Sequence, residues 1–238
     1  MQFPFLVVAF IALFGFGSCE TPSAAGNTDG ARPVAVAQTN DVIDIDTYIQ
    51  QNPTLKDAAT AVFAGGCFWC TEAALERIIG VTDVVSGYTD GDGQKTSYKK
   101  VSAGATDYTE AIYVFYDPDV VSYETLLKVF FTAHDPTQLN RQGPDRGTQY
   151  RGGVYPQNAE QRAAAESYIQ ELEASGKYNS KLVTEVKDYR HFWLAEGYHQ
   201  NYYELNPNQP YILSVSRPKV EKVVKTYPEL IKPAYKSS

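Results

Sequence analysis

The sequence predicts an α+β domain with a ferredoxin-like β-α-β-β-α-β core, followed by an additional helix, an additional strand and a long C-terminal coil. Two observations predict this fold class. Apolar residues switch between strand-like and helix-like spacing from residue 60 to residue 154, and glycine or proline turns separate the segments. The composition agrees, because 43% of the 238 residues are hydrophobic, which is enough for one sizeable core or two small ones.

The predicted elements follow one another along the chain. A short apolar run ends at Gly65-Gly66, a proline at 118 ends a strand of alternating residues, and Ser122 is a suitable N-cap for the second helix. Gly176 closes the third helix. The predicted strands are 60–64, 81–86, 108–116, 149–154 and 182–187, and the predicted helices are 68–79, 122–133 and 158–175.

The N-terminal region is predicted to direct export. Residues 1–18 contain an apolar run too short to span a bilayer comfortably, typical of a signal peptide. Small residues directly before Cys19 resemble the lipobox of bacterial lipoproteins, which predicts a lipidated Cys19, a membrane anchor and an extracytoplasmic location. A plain signal peptide or an uncleaved anchor is the alternative. Residues 19–56, with few bulky apolar side chains up to about Asn40, are predicted to be a flexible tether. The catalytic domain is then 57–238.

Charge and cysteine content exclude two classes of protein. The net charge is −7 and the pI is near 5.0, so no positive field attracts phosphates, and nucleic acid is not expected as a partner. Three cysteines are too few for a disulfide-built scaffold, and a chain of this length does not need one. The chemistry of these cysteines is therefore expected to be local.

Chemistry is expected at Cys67, which stands where a predicted strand turns into a predicted helix. Free N–H groups and the helix dipole at that position favour the thiolate, the form that acts as a nucleophile. Cys70, three residues later, lies over the same turn and is able to form a disulfide with Cys67. The alternatives are two unreactive core cysteines or half of a zinc site. Zinc needs four ligands, and His134, His191 and His199 are not in finger spacing. No metal or cofactor is expected.

Gly-Cys-Phe-Trp-Cys is more specific than a bare C-x-x-C pair. With it, the chain resembles the type A peptide-methionine sulfoxide reductases, enzymes that reverse methionine oxidation. The resemblance extends from about Thr60 to the end of the chain. It is carried by Gly87-Tyr88-Thr89, Tyr116-Asp117-Pro118, Ser122-Tyr123, His134-Asp135-Pro136-Thr137-Gln138, Asn140-Arg141-Gln142-Gly143, Asp145, Gly147-Thr148-Gln149-Tyr150-Arg151, Tyr198-His199-Gln200, Tyr202 and Asn206-Pro207.

The resemblance implies roles for individual residues in the reduction of methionine-S-sulfoxide. Cys67 is implied as the nucleophile that attacks the sulfoxide sulfur. Glu110 is implied as the general acid, which an apolar site would have to keep protonated. Tyr88 and Tyr202 are implied as hydroxyl donors to the sulfoxide oxygen. Without the resemblance, Glu110 would be interpreted as a solvated strand residue and the tyrosines as ordinary packing.

The resemblance also implies a substrate pocket. Phe68 and Trp69 match the apolar surface that contacts the substrate methyl group, whereas an aromatic pair at this position is otherwise core packing. Asp135 matches an acidic residue at the pocket, and a capping role beside Pro136 is its alternative. His134 and Arg141 are interpreted as structural.

After attack, Cys67 would be a sulfenic acid that a second thiol must resolve. No cysteine follows Cys70, so the resemblance leaves Cys70 as the resolving thiol, and Cys19 is not available if it is lipidated. The expected partners are oxidised proteins or peptides bearing methionine sulfoxide and a thioredoxin-like reductant of the Cys67–Cys70 disulfide. The resemblance also implies selectivity for the S epimer.

The chain departs from the family pattern in two places. Relatives usually have Gly-His-Ala-Glu where this chain has Asp107-Tyr108-Thr109-Glu110, and Asp90-Gly91 replaces Gly-Gly. How the neighbours of Glu110 adjust its pKa therefore stays open.

Lysines at 219, 222, 225 and 232 are interpreted as a solvated helix face rather than a membrane-binding patch. Two other functions stay open, a thioredoxin-like dithiol-disulfide oxidoreductase and a non-catalytic binding lipoprotein.

Overall fold

The structure is a computed structural model that describes residues 41–236. Residues 1–40 and 237–238, and with them the predicted signal peptide and Cys19, lie outside the described residues. The helices are α1 (Ile45–Gln51), α2 (Phe68–Glu76), α3 (Tyr98–Ser102), α4 (Tyr123–Ala133), α5 (Ala159–Ala174), α6 (Tyr202–Leu205) and α7 (Arg217–Thr226). The strands are β1 (Ile43–Asp44), β2 (Ala59–Gly65), β3 (Val81–Thr89), β4 (Thr109–Tyr116), β5 (Arg141–Gln142), β6 (Asp145–Arg146), β7 (Gly152–Val154), β8 (Glu185–Val186) and β9 (Trp193–Leu194).

The main sheet confirms the predicted fold class. Its strand order is β1-β9-β3-β4-β2-β7-β8, and β2, β3, β4 and β7 pair antiparallel in its centre. With α2 after β2 and α4 after β4, this centre is the β-α-β-β-α-β core. A separate hairpin of β5 and β6 lies in the loop that follows α4.

The two faces of the sheet bury two different clusters. One face, with Phe63, Ile112 and Val114, packs against α2 and α4, and α7 packs on these two helices. The opposite face, with Val62, Val85 and Phe115, packs against the N-terminal elements and the segment around β9. Strands β2 and β4 are therefore buried on both sides, which explains why their sequences are nearly continuous apolar runs.

The N-terminal boundary of the domain differs from the predicted one. Ile45 and Tyr48 of α1 are buried against the second face of the sheet, as is Leu55 in the short 3₁₀ helix that follows. The Tyr48 hydroxyl donates to Asp83 at 2.6 Å, and Asp44 caps α1. The prediction of a tether as far as residue 56 is wrong from Ile43 onwards, because the apolar residues at 45, 48 and 49 have helical spacing.

Most predicted helix ends agree with the structure because local side chains set them. Ser122 and Asn158 accept hydrogen bonds from Thr125 N and Gln161 N at the starts of α4 and α5. Gly176, at φ +66°, follows α5. The prediction was wrong at 149–151, where a 3₁₀ turn (Thr148–Tyr150) precedes the short β7.

The region expected as C-terminal coil contains helical structure. A π-helical turn (Ile212–Ser216) leads directly into α7, whose Val220 and Val223 are buried against α2 and α4. The coil prediction was wrong here. The lysines interpreted as a solvated helix face do lie on α7 at 219, 222 and 225, although Lys219 is half-buried, and the valines three residues apart form the apolar stripe of the helix. Among residues 41–236, no helix combines the length and the apolar character needed to cross a bilayer.

Candidate active site

The turn between β2 and α2 presents Cys67 at the N-cap of α2. Gly66 has φ +83°, and a Cβ on it would lie 2.4 Å from Cβ of Gln142. Only glycine fits this combination of left-handed backbone and close approach. The sequence therefore fixes the position of Cys67 through the glycine before it.

Cys67 and Cys70 are both free thiols, and they share a hydrogen bond. Cys67 keeps 6% of its surface accessible, whereas Cys70 is fully buried. The geometry brings together the two sulfurs that the sequence paired, and of the two buried residues only Cys67 retains accessible surface.

The resting charge of the pair differs from the expectation for an N-cap cysteine. Burial raises the pKa of Cys67 well above its ordinary value, and the bond to Cys70 and the proximity of Glu110 raise it further. The N–H of Phe68, which would stabilise a thiolate on Cys67, donates instead to Glu110 Oε2 at 3.2 Å. The prediction of a resting Cys67 thiolate is therefore wrong.

Cys70 is the more acidic member of the pair. Its pKa is lowered to about 7, first by the hydrogen bond from Cys67 and then by Lys219 and Ser216, against the effect of burial and of Asp145. The resting anion therefore lies on Cys70, and a proton transfer along the Cys67–Cys70 bond yields the Cys67 thiolate.

Glu110 is a buried carboxyl group in β4, directly opposite Tyr88 in β3. Burial raises its pKa to about 8, and Asp145 and Cys70 add to the rise while the Phe68 N–H opposes it. Glu110 is therefore protonated at neutral pH beside the sulfur pair, as a general acid must be.

Tyr88 and Tyr202 occupy different positions around the site. The buried Tyr88 donates its hydroxyl to Glu196 Oε2 at 3.0 Å, and burial together with Glu196 raises its pKa far above the ordinary value. Tyr202 stacks on Trp69, with ring centroids 3.8 Å apart and planes 10° from parallel. The hydroxyl proton of Tyr88 is thus bound to Glu196, and the ring of Tyr202 is held in place by its stacking on Trp69.

Phe68 and Trp69 extend an aromatic surface from Cys67. Phe68 is buried against Tyr88 and His199, with ring centroids 5.9 and 5.0 Å away. Trp69 is half-buried and donates its indole N–H to His199 Nδ1 at 3.2 Å. Burial lowers the pKa of His199 to about 4, so this histidine is a neutral acceptor that orients Trp69.

Asp135 belongs to the loop after α4 rather than to the centre of the site. One carboxylate oxygen accepts from the backbone N and hydroxyl of Thr137 at 3.0 and 2.7 Å, and the other accepts from Gln138 at 2.8 Å. Its backbone pairs with the side chain of Gln142, which packs on Gly66. These bonds brace the loop beside Cys67, and none of them goes to α4, so they differ from the capping role that was the alternative for Asp135.

Four residues without a predicted role surround the sulfur pair. Tyr211 is hydrogen-bonded to Cys67 and donates its hydroxyl to Asp145, the acidic group that raises the pKa of Glu110. Tyr150 and Tyr98 also lie near Glu110 and Cys67. Asp145 and Tyr150 belong to motifs quoted above, so the sequence could have marked them as residues of the site. Tyr211 is one of 18 tyrosines and carried none.

No metal site is evident in the part of the chain that the structure describes. Residues 41–236 contain no group of three or more His, Cys, Asp or Glu side chains arranged to hold a metal ion. His134, offered above as a structural residue, is buried and bonded through Nδ1 to the carbonyl of Phe130 at 2.8 Å.

Comparison with known proteins adds independent information about the chain. The profile of the family described as "Peptide methionine sulfoxide reductase" matches residues 59–230. A protein of Haloquadratum walsbyi named peptide methionine sulfoxide reductase MsrA is 51% identical over 170 residues, which are 71% of this chain and 97% of that protein. A Synechocystis protein named peptide methionine sulfoxide reductase MsrA 2 is 44% identical over 191 residues, 79% of this chain and 89% of its own length.

Solved structures agree with these sequence comparisons. Reduced Mxr1 from Saccharomyces cerevisiae superimposes with a TM-score of 0.59 at 34% identity, covering 63% of this chain and 86% of Mxr1. Methionine sulfoxide reductase A of Corynebacterium diphtheriae gives a TM-score of 0.53 at 32% identity, covering 62% of this chain and 74% of the other.

Proposed function

The chain belongs to the peptide methionine sulfoxide reductase family, and from that premise we propose how its own residues perform the reaction. The enzyme is a peptide-methionine (S)-S-oxide reductase that uses thiols to return methionine sulfoxide to methionine and so repairs oxidised proteins. Cys67 is the nucleophile, Glu110 the acid and Cys70 the resolving thiol.

In the first step, the Cys67 thiolate attacks the sulfoxide while Glu110 protonates its oxygen. The sulfoxide S–O bond breaks, two electrons pass from Cys67 to the substrate sulfur, and the oxygen leaves with Cys67 as a sulfenic acid. Methionine is released as the sulfide. The accessible edge of Cys67 and the protonated Glu110 support this assignment.

In the second step, Cys70 gives the proton that it took from Cys67 to the Glu110 carboxylate, and the resulting Cys70 thiolate attacks the sulfur of the sulfenic acid. The Cys67–Cys70 bond forms, and hydroxide departs as water with a proton from solvent. A dithiol reductant of the thioredoxin type then exchanges with this disulfide, restoring both thiols and becoming oxidised itself. The hydrogen bond between the two sulfurs supports Cys70 as the resolving thiol.

The substrate would bind across the aromatic surface next to Cys67. Phe68 and Trp69 offer their faces to the sulfur-bound methyl group, which is small and polarizable. The hydroxyls of Tyr88 and Tyr202 are proposed as donors to the sulfoxide oxygen. For Tyr88 this requires its proton to turn from Glu196 towards the substrate.

One observation carries the proposal: a carboxylic acid that stays protonated at neutral pH lies beside a buried dithiol. Exchange between thiols and disulfides needs no such acid, whereas reduction of a sulfoxide requires a proton on the departing oxygen. Glu110 therefore favours the reductase over the thioredoxin-like alternative.

We further propose that residues 1–18 are a signal peptide and that a lipid on Cys19 anchors the enzyme to a membrane outside the cytoplasm. The support is the apolar run and the small residues before Cys19. The intact mass of the protein purified from membranes tests this proposal. An acylated N-terminus at Cys19 supports it, and a mass that includes Met1 contradicts it.

A single-turnover assay with separated sulfoxide epimers tests the catalytic proposal. Reduced protein lacking residues 1–19 is expected to form methionine from the S epimer alone and to lose two thiols. Cys70→Ser is expected to form methionine and retain a trapped sulfenic acid. A folded protein that yields no methionine from either epimer would overturn the proposal.

A further inference from the structure

Two side chains next to Cys70 stabilise the negative charge on its sulfur. Cys70 Sγ lies 3.1 Å from the hydroxyl oxygen of Ser216, and the ammonium of Lys219 donates to the same sulfur at 3.9 Å. Both Cys70 and Ser216 are fully buried, while Lys219 is half-buried. A buried thiolate is costly unless it is paired and hydrogen-bonded, and here both conditions are met.

The local backbone accounts for this arrangement. The π-helical turn Ile212–Ser216 runs directly into α7, so Ser216 and Lys219 lie three residues apart on one side of a continuous helical segment. Packing of α7 on α2 brings that side against Cys70. Local π-helical turns inside helices are frequent at functional sites.

No other titratable group named near Cys70 stabilises its negative charge as Lys219 does. Asp145 is acidic and raises the pKa of Cys70, and Glu110 and Tyr211 are held neutral at pH 7 by burial. Cys67 supplies the hydrogen bond within the pair. Lys219 is therefore the cation that stabilises the anion on Cys70.

We propose that Lys219 and Ser216 are positioning residues for the resolving thiol: they hold Cys70 as a thiolate oriented towards Cys67. The inference rests on the proposed function and names the groups that drive its second step. With the Cys67 sulfenic acid formed, Cys70 attacks its sulfur, the S–S bond replaces the S–O bond, and hydroxide leaves as water with a proton from solvent.

The same contacts act in the reverse direction when the disulfide is reduced. A thiol of the reductant reaches Cys67, the only one of the two with an accessible edge. Cys70 is then the leaving group, and a thiolate stabilised by Lys219 leaves faster. Accessibility thus directs the reductant to Cys67, and Lys219 and Ser216 favour the departure of Cys70.

Lys219→Met tests the proposal against Lys222→Met, a matched control from the next turn of α7. Both lysines line the same cavity of about 590 Å³, which opens beside α4. Lys219 is the one that contacts Cys70. The experiments use the full-length chain with Cys19→Ser, so that the two remaining thiols are those of the site.

The first measurement is the titration of Cys70 in a Cys67→Ser background, followed by thiolate absorbance. Lys219→Met is expected to raise the Cys70 pKa by about one unit. Ser216→Ala is expected to raise it less, and Lys219→Arg is expected to restore the low value. An unchanged pKa in Lys219→Met, or an equal rise in Lys222→Met, would overturn the proposal.

The second measurement separates the two chemical steps during one turnover. Lys219→Met is expected to form methionine but to accumulate a trappable Cys67 sulfenic acid, with disulfide formation about fivefold slower at pH 7 and nearly normal at pH 9. If wild type forms no methionine, the proposed function fails. If methionine forms and disulfide formation in Lys219→Met keeps the wild-type rate, only the present inference fails.

Discussion

Glu110 shows how a fold makes an acid from a side chain that is normally ionised. The carboxyl group lies in a strand buried on both faces, so the cost of burying its charge outweighs the hydrogen bond from Phe68 N. The nearby Asp145 and the Cys70 sulfur raise the pKa in the same direction. A protonated carboxylic acid and a reactive sulfur pair then coexist at neutral pH.

We expect kcat/KM to have a bell-shaped pH dependence. Activity rises as pH passes about 7, where Cys70 and hence the sulfur pair loses a proton. It falls as pH passes about 8, because Glu110 then loses the proton that the sulfoxide oxygen needs. Glu110→Gln is expected to lower kcat/KM by about 10²–10⁴ and to remove the alkaline fall.

Glu196→Gln is the control for that prediction. Glu196 is also buried in the site, where it accepts from Tyr88 and from Tyr98 N, yet it is not the proton donor in the scheme. This variant should keep the alkaline fall whatever its rate. An alkaline fall that persists in Glu110→Gln would rule out Glu110 as its source.

The residues that depart from the family pattern fit one another. A Cβ on Gly91 would lie 2.5 Å from the ring of Tyr108, so the glycine makes room for the tyrosine. The Tyr108 hydroxyl donates to Gln94 O, and Asp90, at φ +57°, pairs with Arg151 at 2.7 Å. These contacts lie in the loop after β3. The pKa of Glu110 depends instead on burial and on Phe68, Asp145 and Cys70.

At the scale of elements, the β2–α2 turn is the part that the chemistry depends on most closely. Its geometry combines a left-handed Gly66 with the side chain of Gln142 packed directly against it. Gln142 is held in place by the backbone of Asp135. The loop after α4 therefore supports Cys67 from outside, although it donates no group to the reaction in the proposed scheme.

Gly66→Ala should damage stability and catalysis together. We expect it to lower the free energy of unfolding by about 3 kcal/mol or more, because a strained φ and a steric clash with Gln142 add. Turnover should also fall, since relief of the clash displaces Cys67. Urea unfolding and the single-turnover assay measure the two effects.

Gly143→Ala provides the matched comparison. Gly143 also has positive φ, +62°, but a Cβ there meets no atom within 4 Å. Gly143→Ala should lower the free energy of unfolding by about 1–2 kcal/mol because of backbone strain, and turnover should stay unchanged. Equal losses in the two variants would show that the contact with Gln142 contributes nothing.

Local pattern predicted most of the elements, and the reason is physical. The caps Ser122 and Asn158 and the apolar periodicity of α4 and β4 act within a few residues, so the sequence displays them directly. The π-helical turn before α7 has no such local signature. Its effect, the placement of Ser216 and Lys219 on Cys70, arises only when α7 packs on α2.

At the scale of the whole molecule, the site could be predicted in part. Cys67, Cys70 and Glu110 come together as the resemblance implied, because a motif and a strand face encode them. Asp145 belongs to the quoted motifs but had no assigned role, and Tyr211 could not be recognised as a neighbour of Cys67, because it lies in the C-terminal segment. Only the tertiary fold brings these distant segments to one place.

The second face of the sheet leads to the last prediction, which concerns the N-terminal boundary. Protein 57–238, the domain expected from composition, lacks the buried Ile45, Tyr48 and Leu55, whereas protein 41–238 keeps them. Burial of such side chains contributes about 1.5–3 kcal/mol each as an upper estimate, so 57–238 should be less stable by several kcal/mol or fail to fold. If it does not fold, Tyr48→Phe in 41–238 isolates the hydrogen bond to Asp83 and should cost about 1 kcal/mol. Urea unfolding measures each variant. Equal stability of 57–238 and 41–238 would show that residues 41–56 add nothing, and the sheet would then need no cover on that face.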